Sequence, residues 1–174
     1  KSLGQSEAMT VAYRNALAGA GIEAAQVSAA DLYSCFPIAV WVAMDALDMS
    51  LDDPRPFTLT GGLPFFGGPG NNYSTHGIAE MVHWLRAQPE PAYGVVGANG
   101  GYLSKHAVGV YANMPAKFPE AVAEFKAAEV VEVVSDPEPY GVIESYTFQQ
   151  QKGGARAVIV GRQLSDGRRW VGVA

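Results

Sequence analysis

Cysteine is almost absent: Cys35 is the only one in 174 residues. That excludes an internal disulfide framework and any multi-cysteine zinc site. Charge is scarce too, at 17% of residues, with 12 Lys and Arg against 17 Asp and Glu, a net charge of −5. A general nucleic-acid binder is therefore not expected, because affinity for phosphates comes from a surplus of basic side chains. Long apolar runs are also missing. The longest uncharged one, Cys35 to Met44, falls short of the roughly 20 residues that span a bilayer. No secretory core or cleavage site opens the chain, which makes the cytoplasm the expected compartment. The three histidines lack the carboxylate or cysteine spacing of a metal motif. What remains is a chain 48% hydrophobic, a globular composition rather than a disordered one. It lacks an initiator Met and stops inside the strand-like run Arg169 to Ala174, which reads as a piece of a longer protein.

The periodicities predict an α/β layer domain followed by a small β module. Glu7 to Ala20 reads as a helix with Ala8, Val11, Ala12, Ala16 and Ala20 on its apolar stripe. Ala30 to Ser34 is a strand candidate. It runs into a helix begun by Pro37 and continued through Trp41, Val42, Met44 and Leu47, apolar nearly all round and so expected to be buried. Phe57 to Thr60 reads as a further strand. A glycine-rich loop from Gly61 to Asn72 then leads into a helix over Tyr73 to Ala87, with Asn71 or Asn72 as N-cap and Ile78, Met81, Val82 and Leu85 as its stripe. Tyr93–Gly97 and Ala107–Tyr111 read as strands joined by a turn at Asn99-Gly100-Gly101-Tyr102. Beyond Phe118 the composition changes. A charged helix is expected over Glu120–Ala128, then a linker at 129–140, then three strand-like runs at Gly141–Phe148, Ala155–Gly161 and Arg168–Val173.

Four features could carry chemistry, and each has a plain structural alternative. The glycine loop before the Tyr73 helix can offer backbone N–H groups to a phosphate or oxyanion, or it is a tight connection. It lacks the lysine of a P-loop and the spacing of a dinucleotide fingerprint. His76, in the first turn of that helix, is an acid/base candidate or a polar residue at a helix start. His83, farther along the helix, reads as structural, and His106 beside Lys105 as an exposed residue at a strand start. Cys35 is a nucleophile candidate or an inert apolar thiol, and Asn99 an oxyanion donor or a turn residue. A Cys35–His76–Asn99 hydrolase is one combination. All of these features follow strand candidates, and open α/β sheets place ligands at strand ends.

Taken in order, three segments resemble the C-terminal half of thiolases, particularly the sterol-carrier-protein-type branch and bacterial thiolase-like proteins. Asp31-Leu32-Tyr33-Ser34-Cys35-Phe36 is similar to the family segment reading His-Asp-Cys-Phe or Asn-Glu-Ala-Phe. Gly61-Gly62-Leu63 through Gly67-Gly68-Pro69 resembles the Gly-Gly…Gly-His-Pro loop, and Gly97-Ala98-Asn99-Gly100-Gly101 the Cys-x-Gly-Gly turn. The likeness covers about residues 1–115. It implies a thiolase-type αβα layered domain with a five-stranded mixed sheet over residues 1–128. The module from residue 141 to 174 resembles the start of an OB-like β domain. The same likeness implies an acyltransferase of the acetyl-CoA acetyltransferase family, working with a missing N-terminal half that holds the nucleophilic cysteine. A coenzyme A thioester would be substrate or ligand, with no permanently bound cofactor, and a homo-oligomer is an implied partner state.

By this likeness Gly67, Gly68, Pro69, Gly70, Asn71, Tyr33, Phe36, Ala98 and Gly100 line the acyl-CoA site. Three positions depart from the family: Gly68 replaces the loop histidine, Ala98 (or Asn99, with the turn shifted by one) the acid/base cysteine, and Tyr33 the Asn or His before the phenylalanine. Gly and Ala cannot transfer protons, and losing one such group costs about 10²–10⁴ in rate. His76 and Asn99 are the residues that could substitute. The alternative is a non-catalytic acyl-CoA- or lipid-binding or scaffold protein with a thiolase fold. Arg55 and Lys105 are the cations nearest these motifs in sequence for the phosphates of the coenzyme.

Overall fold

The computed structural model describes residues 4–115 and 130–174. They belong to two compact units, one within residues 4–126 and the other within 127–174. The charged helix expected at Glu120–Ala128 lies outside the described residues.

In the first unit, α1 (Glu7–Ala20) occupies the predicted span. Ser6 accepts the Met9 amide at its N-terminus, and Gly21 closes it with φ 68°, a conformation a side chain would resist. The buried face differs from the alanine stripe: Met9, Tyr13 and Leu17 are the buried residues. These larger side chains, at four-residue spacing, remove more apolar area from water than alanines can, and they set the rotation of the helix. β1 (Val27–Asp31) begins and ends three residues before the strand expected from Ala30 to Ser34. α2 (Pro37–Ala46) starts at Pro37 as anticipated. It is not buried all round, because Ile38, Trp41, Asp45 and Asp48 form an exposed stripe opposite Ala39, Val42, Ala43 and Ala46.

After α2 come a four-residue turn of helix, α3 (Leu63–Phe66), and the long helix α4 (Tyr73–Arg86). β2 (Tyr93–Gly100) pairs parallel with β1 and antiparallel with β3 (Lys105–Ala112), giving the order β1-β2-β3. The sheet therefore has three strands among the described residues where five were expected. Pro56 and Phe57 do run beside β1, their carbonyls accepting the amides of Ala30 and Leu32. The Phe57–Thr60 segment nevertheless forms no strand, because the Leu59 and Thr60 amides turn to the Asp31 carboxylate.

Two apolar layers cover the sheet. Met9, Tyr13 and Leu17 of α1 and Val42, Ala43 and Met44 of α2 pack with Val27, Ala30 and Val95 on one face. Met81 and Leu85 of α4 pack with Ala29 and Val96 on the other. Adjacent strand residues thus serve opposite layers, as the pleat requires. α1 approaches β2 so closely that a Cβ at Gly97 would overlap the Tyr13 hydroxyl.

The second unit is an antiparallel sheet, β4 (Gly141–Gln151), β5 (Gly154–Gln163) and β6 (Arg169–Val173), in sequential order. Its strands fall where the alternation places them, and Asp166-Gly167 makes the β5–β6 turn. Residues 132–138, read in sequence as linker, contribute to it. Val133 bridges Arg169 in parallel, and the Glu138 amide donates to Gln163 at 2.9 Å. At one end Glu144 receives both Arg162 (2.7 Å) and Arg169 (2.5 Å), which hold its carboxyl below the usual range.

Gly97→Ala is expected to destabilise the first unit by about 1–3 kcal/mol through overpacking. Part of that loss should return in the Gly97→Ala/Tyr13→Phe double variant, where the overlapped hydroxyl is gone. Urea unfolding of both variants checks this.

Candidate functional site

β1 ends on a fully buried acid, Asp31. One carboxylate oxygen accepts the amides of Leu59 (2.8 Å) and Thr60 (3.0 Å) and the hydroxyls of Thr60 (3.1 Å) and Thr58 (3.3 Å). The other accepts the Tyr73 hydroxyl at 3.3 Å, and Tyr73 and Thr60 share a 2.6 Å hydrogen bond. A buried carboxylate is tolerable because these donors replace its water. The threonines pass the order along the loop: Gly61 donates to the Thr58 hydroxyl and Gly62 to that of Thr60. Ser34, just beyond β1, accepts the Leu63 amide at 2.8 Å.

The helix contributes by omission. A Cβ at Gly77 of α4 would stand 2.9 Å from the Asp31 carboxylate and 3.4 Å from Val96. Only glycine lets the helix start lie on this cluster. Aromatic rings continue from it: Tyr73 meets Tyr33 edge-on at 5.4 Å and Phe66 at 6.2 Å, and Phe66 lies 5.1 Å from the His76 ring. Burial raises the Tyr73 phenol, and the Asp31 charge adds to the effect. The end of β1, the Thr58–Leu63 stretch and the first turns of α4 thus meet beside Val96 of β2, the kind of place where an open α/β sheet holds ligands.

The residues singled out in the sequence are distributed around this point. Gly67, Gly68, Pro69, Gly70 and Asn71 form an exposed stretch between α3 and α4. Gly67 donates to Leu63, closing α3, and Gly70 donates to Gly68. Asn72 occupies the N-cap position of α4, but its side chain caps nothing and instead contacts His76 at 3.4 Å. Tyr33 is half-buried in the ring cluster, whereas Cys35 and Phe36 are exposed in the connection to α2. His83 is exposed.

The pleat of β2 separates the rest. Val96 faces α4 and Gly97 faces α1, so Ala98 falls on the side of Asp31 and Asn99 on the side of α1. Asn99 there meets His106, its cross-strand partner, at 3.0 Å. Gly100 pairs with Lys105. Among the described residues, no hydrogen bond joins Cys35, His76 and Asn99. His106, expected to be exposed, is half-buried and contacts Asn99, the Leu103 carbonyl (3.1 Å) and the Ser6 hydroxyl (3.5 Å). Burial lowers the pKa of its ring, and the Leu103 carbonyl opposes the shift. Arg55 is committed to structure, with two nitrogens on Asp53 and one on the carbonyls of Ala24 and Val27.

Sequence reasoning missed Asp31 as a centre, although an acid closing the apolar strand Val27-Ser28-Ala29-Ala30 was the available signal. A cavity of about 630 Å³ lies elsewhere, between the end of α4 and Tyr111–Pro115. None of the expected site residues lines it. Among the described residues, no group of three or more His, Cys, Asp or Glu is placed to hold a metal ion, and no helix is long and apolar enough to cross a membrane.

This arrangement has a counterpart among solved structures. The crystal structure of a monomeric SCP2-thiolase-like protein type 1 from Mycobacterium smegmatis matches it at 43% identity, with a TM-score of 0.85. The fold is thiolase-like. The match covers 98% of this chain and 39% of that one, so the chain spans about two-fifths of its relative's length. No protein-family model and no curated protein matches the sequence. The resemblance read from the three motifs is thus supported as a likeness to part of a thiolase-like protein.

Asp31→Ala is expected to cost about 2–6 kcal/mol, since the Leu59 and Thr60 amides each lose a buried acceptor worth about 1–3 kcal/mol. Denaturant unfolding measures it. His106 supplies a pH test. Its folded pKa is lowered, so the stability it contributes is complete above its unfolded value of about 6.5. That contribution is lost as pH falls through 6.5 toward the folded value. Stability profiles of the protein and of His106→Gln should differ in this window and run parallel above it.

Proposed function

We propose that this chain forms one wall of an acyl-thioester site in a thiolase-like protein, and that the site binds acyl-coenzyme A without ordinary thiolase turnover. The glycine loop, Tyr33 and the end of β2 would line the wall, with the remainder of the longer protein supplying the rest. The reading rests on the thiolase-like fold together with one observation: the side chains at the family's proton-transfer positions are gone. Gly68 stands in the loop and Ala98 on the Asp31 side of β2, and neither has a titratable group. Asp31, the buried acid at the end of β1, is saturated by donors from Thr58, Leu59, Thr60 and Tyr73 and serves the scaffold.

His76 keeps an acyltransferase reading in play, because it stands in the first turn of α4 against Phe66 at the end of the loop. In the binding reading it acts through shape and hydrogen bonding. The Cys35–His76–Asn99 hydrolase finds no support, since Asn99 faces α1. The phosphates of coenzyme A would need cations from outside this chain's loop, as Arg55 is already occupied.

Calorimetric titration of acetyl-CoA and longer acyl-CoAs into the full-length protein tests the proposal, with thiolytic cleavage assayed in parallel. Binding without turnover is the expected outcome. Turnover that falls by about 10²-fold or more in His76→Ala would favour the acyltransferase. Failure of every acyl-CoA to bind would overturn both readings.

A further inference from the structure

We propose that His106 is the positioning residue of Asn99, and that a proton on its ring decides which end of the Asn99 amide is left free at the tip of β2. Nε2 of His106 lies 3.1 Å from the Leu103 carbonyl oxygen, which can only accept, so Nε2 carries a hydrogen. The state of the ring is then decided at Nδ1, which faces the Asn99 amide oxygen at 3.0 Å. A charged ring has a second N–H there and donates to that oxygen, the orientation of the structure, which leaves the NH2 free. A neutral ring has a lone pair there and needs a donor. The amide must then turn its NH2 inward and leave its oxygen free.

The amide is suited to this exchange because its two ends are nearly equal in size. An aspartate at the same position could only accept. The backbone holds the pair in place, since Asn99 and His106 sit opposite each other in the β2–β3 ladder. The hydroxyl of Ser6, the residue that caps α1, lies 3.5 Å from the same Nε2 that faces the Leu103 carbonyl.

Among the described residues, no neighbouring charge competes for the ring. From α1 it meets the Ser6 hydroxyl, while the charged residues early in that helix, Glu7 and Arg14, are exposed. From β2 it meets the Asn99 amide, and from the turn the Leu103 carbonyl. On its own strand Lys105 is exposed and, one residue away, projects from the opposite face. Burial and the Leu103 carbonyl are the influences acting on its titration, with burial the larger.

The inference does not depend on thioester binding, and its test does not use a thioester. In the full-length protein labelled with 15N at histidine and asparagine, the His106 signals are identified by their loss in His106→Gln. At neutral pH the ring should be the Nε2–H tautomer. On acidification the Asn99 NH2 resonances should move with the same midpoint as the ring, below the value of about 6.5 of an exposed histidine. Asn99→Asp, which can only accept, should raise that midpoint by about one pH unit or more. An Nδ1–H tautomer at neutral pH, or Asn99 resonances that stay still while His106 titrates, would overturn the proposal. If Asn99→Asp does not fold, the titration of the unaltered protein decides the matter alone.

Discussion

A buried carboxylate needs partners wherever the chain can supply them, and Asp31 obtains them from three separate segments. Its own strand delivers it to the edge of the sheet, the Thr58–Thr60 segment wraps its backbone and hydroxyls around it, and Tyr73 reaches it from the start of α4. Leaving any of these donors unpaired in the interior would cost about as much as a buried hydrogen bond is worth. The arrangement therefore locks the strand end, the loop and the helix start together. Features that look independent in the sequence follow from it: the interruption of Phe57–Thr60 as a strand, the glycine at position 77 and the tyrosine that opens α4.

The loop inherits its order from that centre. Thr58 and Thr60 use their hydroxyls twice, toward Asp31 and toward the amides of Gly61 and Gly62, and Ser34 holds Leu63. Beyond Phe66 the chain from Gly67 to Asn71 is exposed and carries no such ties to Asp31. The segment is thus tied to the sheet by hydrogen bonds up to Leu63 and exposed beyond Phe66. The exposed apolar residues Phe36, Ile38 and Trp41 at the start of α2 belong to the same unit.

The pleat of β2 decides which layer each of its residues serves. Ala98 and Asn99 are neighbours in sequence, yet one belongs to the Asp31 layer and the other to the α1 layer. A polar residue one position away from a family's catalytic residue is therefore no substitute for it, because a shift of one residue in a strand reverses the side chain. Asn99 instead joins His106 and the cap of α1, a cluster assembled from residues about a hundred positions apart.

The sequence by itself determined the elements and their order. Helix periodicity, Pro37, the Asp166-Gly167 turn and alternating strands are local signals, and α1, α2, α4 and β2 to β6 fall close to where those signals put them, whereas β1 lies three residues earlier. Three ordered motifs also carried the likeness to thiolases. What it could not determine were contacts between distant segments. Alanines at three- and four-residue spacing described a plausible face of α1, but packing chose Met9, Tyr13 and Leu17 because they bury more area. Phe57–Thr60 had a strand's composition, yet its amides went to an acid some thirty residues earlier. His106 looked solvent-exposed beside a lysine until the hairpin and α1 closed around it. Only tertiary structure decided these, because burial and hydrogen bonding are satisfied across the fold and not along the chain.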